Sequence, residues 1–282
     1  MTELRGAPVA AAITERCKEK IYRLRERNIV PTLAIVRLGA RGDDEAYERG
    51  AEKRFTNAGA AVQKYVLPET ASQKELEALI GDLNADPAVH GILVFRPLPE
   101  QIEETRIKQL IRMEKDVDGM SYAGLGGLLA GGGANASYAP CTPRAVIELL
   151  KFYGIGVAGK KVAVVGRSPV VGLPLAVMLI HQNATVTVCH TKTQDLPAEC
   201  RNADIIIAAA GKAKMIGNAH IAHGQVLIDV GINLVDGKLY GDVDYDCAAA
   251  QASAVTPVPG GVGAVTTSVL LQHTVDSAEK LC

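Results

Sequence analysis

Two hydrophobic periods alternate along the first half of the chain. Residues 8–28 carry a mixed-charge amphipathic pattern at helical spacing, and helical patterns return over 43–58 and 72–85. Short apolar runs separate them. Thr32–Leu38 (TLAIVRL) is bounded by Pro31 and Gly39, Ala61–Leu67 is a second run, and 89–95 (VHGILVF) is stopped by Pro97 and Pro99. Strands and helices in that order predict a βαβαβ rhythm, hence parallel strands joined by crossover helices.

The second half restarts the rhythm. Thr142 as N-cap and Pro143 as first helical residue predict a helix running to Tyr153. Four runs follow: Lys161–Val165 (KVAVV), Thr185–Cys189 (TVTVC), 204–209 (DIIIAA) and 226–230 (VLIDV). Each is short, β-branched and almost continuously apolar, as central strands of a parallel sheet are when helices cover both faces. Residues 170–182 are the expected first crossover helix. Between the halves, positions 124–133 hold Gly124, Gly126, Gly127, Gly131, Gly132 and Gly133, a stretch that cannot hold a regular element well. It reads as an inter-domain joint, or as backbone that approaches a partner closely.

Composition narrows the class. The 282 residues suit one large or two medium domains. An apolar fraction of 48% excludes wholesale disorder, and only 4% aromatics leaves the cores to Ala, Val, Ile and Leu. With 30 Lys+Arg against 31 Asp+Glu, the basic excess of a dedicated nucleic-acid binder is missing. No apolar run approaches the ~18 residues of a membrane span. The start, MTELRGAPVA, lacks a signal-peptide layout, and six scattered cysteines without C-x-x-C read as reduced thiols of a cytosolic protein. His220 and His223 form a lone H-x-x-H, read as a solvated helix start rather than a metal site; no metal is expected.

The first strand of the second half runs directly into Gly166-Arg167-Ser168-Pro169-Val170-Val171-Gly172. A tight glycine turn between strand and helix is where a Rossmann fold seats a pyrophosphate, against backbone N–H groups and the positive helix end. The spacing is G-x5-G rather than G-x-G-x-x-G, and a plain structural turn would look similar. The next strand ends Cys189-His190-Thr191-Lys192-Thr193, without the carboxylate that usually binds an NAD ribose. Arg167 in the loop and hydroxyl donors at the strand end suit a 2′-phosphate, hence NADP; Lys192 reads equally as an ordinary surface lysine.

Seven segments stand out across nearly the whole chain: KDVDG (115–119), YAPCTPRA (138–145), VVGRSPVVGLP (164–174), HTKT (190–193), DVGIN (229–233), GDVD (241–244) and TPVPGGVG (256–263). Together, and in this order, they resemble the methylenetetrahydrofolate dehydrogenase/methenyltetrahydrofolate cyclohydrolase family. The resemblance implies an α/β fold class. A Rossmann-type parallel-sheet NADP domain at 139–263 and an α/β folate-binding domain at 1–138 plus 264–282 would enclose a cleft, in a homodimer. Gly166, Arg167, Ser168, Thr191 and Ile232 are the implied cofactor contacts. Tyr47, Phe95, Pro97, Leu98, Asp118, Pro259, Gly260, Gly261 and Val262 are the implied contacts to tetrahydrofolate derivatives, with Tyr47 and Asp118 nearest the chemistry. From the residues alone, Asp118 reads as a turn carboxylate in DVDG, since Asp-Gly is a turn signal. Residues 257–263, before a helix opened by Thr266 or Thr267, read as a plain domain-crossing loop.

The pattern breaks where the family carries Y-V-x-x-K. Here the segment is Tyr47-Glu48-Arg49-Gly50-Ala51, so Ala51 stands where the family has the lysine of its cyclohydrolase chemistry. Arg49 and Lys53 project on other helix faces, and Arg54 returns to the face of Tyr47 only a further turn beyond Ala51, at ~5.4 Å per turn, so it could not simply take the lysine's place. The family's Q-L-P-L-P reads Phe95-Arg96-Pro97-Leu98-Pro99 here. Phe95 cannot replace the amide of Gln, and Arg96 would point to the opposite side if the strand persists there. The expected function is NADP-dependent oxidation of 5,10-methylenetetrahydrofolate, with cyclohydrolase activity weak or absent. The rivals are a full bifunctional enzyme using Arg96, Arg54 or water, and an inert folate- or dinucleotide-binding protein.

Overall fold

The computed structural model describes residues 1–131 and 138–282, for Asp43 the backbone alone. In chain order, β1 (Thr2–Glu3) is followed by α1 (Gly6–Glu26), β2 (Thr32–Leu38), α2 (Gly42–Ala58), β3 (Ala61–Leu67), α3 (Gln73–Ala85) and β4 (Gly91–Val94). Next come α4 (Glu104–Leu110), α5 (Tyr122–Leu129), α6 (Cys141–Phe152), β5 (Lys161–Val165), α7 (Gly172–Ile180), β6 (Thr185–Cys189), α8 (Leu196–Arg201) and β7 (Ile205–Ala208). The strand β8 (Val226–Asp229), the hairpin of β9 (Asn233–Val235) and β10 (Lys238–Tyr240), α9 (Tyr245–Gln251), β11 (Ala254–Val255) and α10 (Gly263–Leu281) follow. Among the described residues no helix is long and apolar enough to cross a membrane.

The chain forms two compact units, and the division falls inside α1 and α10. One unit comprises Ala11–Cys141 and Thr267–Cys282. Its sheet is parallel in the order β3-β2-β4. Leu33, Ala34, Ile35 and Val36 of the central strand are all buried, which explains why that strand reads as a continuous apolar run. Helix α3 starts at a capping box: Ser72 Oγ accepts the Glu75 N–H while Glu75 accepts the Ser72 N–H. It then buries Leu76, Ile80 and Leu83 on one face among Val36, Ile92 and Val94. Ser72→Ala would cost about 1 kcal/mol. Phe55 of α2 is fully buried, and Phe55→Ala would cost about 3–5 kcal/mol.

The other unit comprises Met1–Ala10 and Thr142–Thr266. Its six strands are all parallel, in the order β1-β11-β8-β7-β5-β6. The strands after β5 leave it on opposite sides, β6 on one and β7 on the other, so the sheet has its switch point at β5. Helix α7 buries Pro174, Leu175, Ala176, Met178 and Leu179.

Four expectations need correction. The first ten residues, expected in the folate domain, group with the second half, because Thr2 and Glu3 pair in parallel with Ala254 and Val255. Two residues are too few to carry a periodic signal. The glycines of 124–131 do not form a structureless joint: Gly124, Gly126 and Gly127 lie in α5, whose start is capped by Ser121 Oγ accepting the Gly124 N–H. Gly132 and Gly133 lie outside the described residues. Helix α6 begins at Cys141 and α10 at Gly263, so Thr142, Thr266 and Thr267 sit inside their helices rather than ahead of them. Finally, His220 and His223 lie in turns, where His220 Nδ1 accepts the Gly217 N–H.

Candidate functional site

In the six-stranded unit the residues of interest stand at the carboxyl ends of the strands. Gly166 ends β5 at φ +133°, and a Cβ there would run into the Ala209 carbonyl. Gly172, at the start of α7, likewise packs its Cα against the Gly166 carbonyl. The G-x5-G spacing therefore closes a loop in which both glycines are sterically required. Within it, Ser168 Oγ accepts the Val171 N–H at 3.1 Å, and the Ser168 carbonyl accepts the Leu173 N–H. Val171 gives α7 no side-chain cap, so the positive helix end faces the loop.

Arg167 stands two residues after Val165, and Thr191 two after Cys189. Val165 and Cys189 are register partners, so these two exposed side chains follow neighbouring strand ends. At the second strand end His190 N–H donates to Thr193 Oγ1 and Lys192 N–H donates to His190 Nδ1, a tight turn that leaves Thr191 and Lys192 at the surface. Two closely approached glycines, an uncapped helix start and an exposed guanidinium fit the phosphates of a dinucleotide.

The strands β8 and β10 lead into a pair of buried carboxylates that sequence reasoning missed as a unit. Asp229 accepts backbone N–H groups of Gly231 (3.0 Å), Asp242 (2.9 Å) and Val243 (2.8 Å). Asp242 accepts those of Ala210 (2.5 Å), Gly211 (2.9 Å) and Lys212 (2.8 Å), and the Asn233 amide at 2.9 Å. Each carboxylate lies where the other motif's glycine would carry a side chain: a Cβ on Gly231 would meet Asp242, and one on Gly241 would meet Asp229. DVGIN and GDVD are thus two halves of one brace. Burial pushes the Asp229 carboxyl up to about 6, against the pull of its three backbone donors.

Beside the brace lies a pocket of about 300 Å³ lined by Ile232, Leu239 and residues 257–264. It brings Ile232, expected at the cofactor, together with Pro259, Gly260, Gly261 and Val262, expected at the folate. Ile232 is 64% exposed, whereas Val262 is buried. Residues 257–263 line this pocket within their own unit.

In the other unit, Tyr47 and Phe95 meet edge to face, ring centroids 5.7 Å apart at 88°. Ala51, one turn after Tyr47 on α2, is fully buried. Pro97 is exposed, while Leu98 packs against the core of its own unit. The nearby cations have partners: Arg49 pairs with Glu45, and Arg54 donates to the hydroxyls of Thr267 (2.9 Å) and Thr14 (3.2 Å).

The KDVDG segment divides its labour. Asp116, fully buried, is the turn carboxylate, accepting the N–H groups of Met120 (3.0 Å) and Ser121 (2.8 Å). Lys115 ties down the carbonyls of Leu83 and Asp86. Asp118 is left for other partners, so the turn reading belongs to Asp116. Burial raises the Asp118 carboxyl to about 6, opposed by Arg96 and reinforced by Asp116. Regular strand β4 ends at Val94, so strand alternation does not govern Arg96, whose guanidinium stands 3.5 Å from the Asp118 carboxylate.

Comparison with known proteins bears on both units. Residues 4–118 match the tetrahydrofolate dehydrogenase/cyclohydrolase catalytic domain, and residues 140–282 match the NAD(P)-binding domain of the same family. The chain is 46% identical over 281 residues to the bifunctional protein FolD of Carboxydothermus hydrogenoformans, covering 99% of this chain and 97% of that one. It superposes with a TM-score of 0.96 on the FolD methylenetetrahydrofolate dehydrogenase/cyclohydrolase of Campylobacter jejuni, at 41% identity and 99% coverage of each. Against the Trypanosoma brucei FolD enzyme complexed with NADP and an inhibitor the TM-score is 0.93, at 35% identity, covering 99% of this chain and 98% of that one.

Proposed function

The chain belongs to the tetrahydrofolate dehydrogenase/cyclohydrolase family, and on that premise we propose how its two activities are apportioned. It is a methylenetetrahydrofolate dehydrogenase of one-carbon metabolism, with a catalytic α/β domain and a Rossmann-like NAD(P)-binding domain. The cofactor in this reading is NADP, which when bound accepts the hydride from the bridging carbon of 5,10-methylenetetrahydrofolate. Gly166 and Gly172 let the backbone approach its phosphates, while Arg167 and Thr191 take the 2′-phosphate. Tyr47, Phe95 and Asp118 contact the folate, and Asp118 accepts from the donor edge of the heterocycle. Hydride transfer asks mainly for alignment and a dry site, which these residues supply without a catalytic proton. The homodimer the family implies belongs to the same reading.

Opening the methenyl product is different, since water attack requires proton transfer, worth ~10²–10⁴-fold when a tuned group provides it. The observation that carries the proposal is Ala51, buried and without an amine one turn from Tyr47, with the Phe95 ring against Tyr47 instead of an amide. Arg54 is engaged with two hydroxyls and Arg is a poor proton-transfer group, so cyclohydrolase activity is weak. The second reading, a fully bifunctional enzyme, is favoured by the bifunctional names of its relatives. One reaction decides: NADP reduction and methenyltetrahydrofolate decay followed together in purified enzyme. Persistent methenyl product with normal hydride transfer supports the split, and decay in step with NADP reduction supports the second reading.

A further inference from the structure

Arg96 stands where the family segment Q-L-P-L-P has an apolar residue, and its charge is placed with some care. One terminal nitrogen is 3.5 Å from Asp118 Oδ2, and the other is 3.8 Å from Glu104 Oε1 on α4. Glu104 is held in turn by Lys108 at 2.6 Å. About one fifth of each side chain of the Arg96–Asp118 pair is exposed, so the pair is shielded yet reachable. Among the other groups around Asp118, the neutral Cys141 thiol also favours the ionised carboxylate by a hydrogen bond, so Arg96 is the one cation among those acting on it. Asp116 adds like charge while serving the Met120 and Ser121 N–H groups, and the buried Cys141 thiol lies against both the Val117 carbonyl and Asp118. His273 of α10 contacts the Val117 carbonyl at 2.8 Å.

We propose that Arg96 is a positioning residue for Asp118, holding its carboxylate ionised and oriented to accept hydrogen bonds from a donor-bearing heterocycle. This rests on the reading that Asp118 contacts the folate. The physical need is plain. A protonated carboxyl becomes a donor and loses acceptor capacity, and burial drives Asp118 toward that state. Arg96 is the charge that opposes the drift, and Glu104 competes with Asp118 for the same guanidinium from its far side.

The test compares wild type with Arg96→Gln, Arg96→Lys and Glu104→Gln as full-length enzyme. Two readouts are used: kcat/KM for 5,10-methylenetetrahydrofolate at saturating NADP across neutral and mildly acidic pH, and the Asp118 carboxyl followed by ¹³C NMR titration. For Arg96→Gln the acid limb and the carboxyl titration both move up by about one pH unit, roughly a tenfold loss of kcat/KM on the acid side. Arg96→Lys restores both toward wild type. Glu104→Gln, which leaves Arg96 to Asp118 alone, moves both down and serves if Arg96→Gln does not fold. An Arg96→Gln enzyme with the wild-type limb and an unmoved carboxyl titration overturns the proposal, as does a Glu104→Gln enzyme with neither displaced. Wild-type enzyme that fails to turn over the folate sinks the functional reading instead, and the NMR titration still decides the role of Arg96.

Discussion

The Asp229 carboxylate accepts the backbone N–H of Asp242 at 2.9 Å, while the Asp242 carboxylate accepts three consecutive backbone N–H groups at Ala210, Gly211 and Lys212. Two aspartates from separate motifs thus fix the loops that follow β7, β8 and β10. Their role is architectural, and it explains why each motif pairs its aspartate with a glycine.

Asp242→Asn keeps the size of the side chain but turns an acceptor oxygen into a donor. Either the Ala210 and Gly211 N–H groups, or the Lys212 N–H and the Asn233 amide, then face an N–H₂. The expected cost is about 2–4 kcal/mol, a fall in melting temperature of roughly 5–10 °C by calorimetry. A variant melting within a degree or so of wild type would remove the brace from the account.

Arg167→Gln removes the exposed guanidinium of the glycine loop and leaves the loop backbone intact. KM for NADP should rise roughly 10- to 100-fold while KM for NAD barely moves, the loss expected for charge-assisted hydrogen bonds to a phosphate. Steady-state kinetics with both cofactors settles it. Equal losses for the two would mean that Arg167 does not read the 2′-phosphate.

Ala51→Lys combined with Phe95→Gln replaces the two groups argued to be missing for methenyl hydrolysis. The double variant should hydrolyse methenyltetrahydrofolate at least about tenfold faster than wild type, with hydride transfer reduced no more than severalfold. Direct decay of the methenyl chromophore is the measurement, and no gain in a folded double variant counts against the split of activities.

Asp118 and Asp229 both titrate at about 6 in the folded chain, above the ordinary aspartate value of 3.8. Between those values the folded chain keeps protons that the unfolded chain has released. The stability each protonated carboxyl contributes is therefore fully present below 3.8 and is lost as pH rises through 6. Asp118→Asn removes one of these titrations. Its melting temperature relative to wild type should move in the variant's favour from about pH 4 to pH 7. A difference that stays constant across that range would contradict the shifted carboxyl.

Much of the fold can be read from the chain because burial leaves its own trace, on both faces in Thr32–Leu38 and Lys161–Val165, whereas Thr185–Cys189, expected as a central strand, is an alternating edge strand. Strands Thr32–Leu38, Ala61–Leu67, Lys161–Val165 and Thr185–Cys189 coincide with the runs read from hydrophobic pattern. Elements without such a trace escape. The strand Thr2–Glu3 is only two residues long and exists through its partner Ala254–Val255, and α5 forms from a glycine-rich segment because Ser121 caps it.

By itself the sequence determined the family, the parallel α/β architecture and the glycine loop between the first strand and helix of the second half. These are written in local periods and short motifs, where each residue's neighbours in the chain are also its neighbours in space. Only the tertiary structure decided that Asp116 rather than Asp118 holds the KDVDG turn, that Arg96 faces Asp118, 22 positions along the chain, and that Asp229 and Asp242 brace one another's loops. A carboxylate's partner depends on where two loops close, and side-chain spacing along the chain carries no record of that closure.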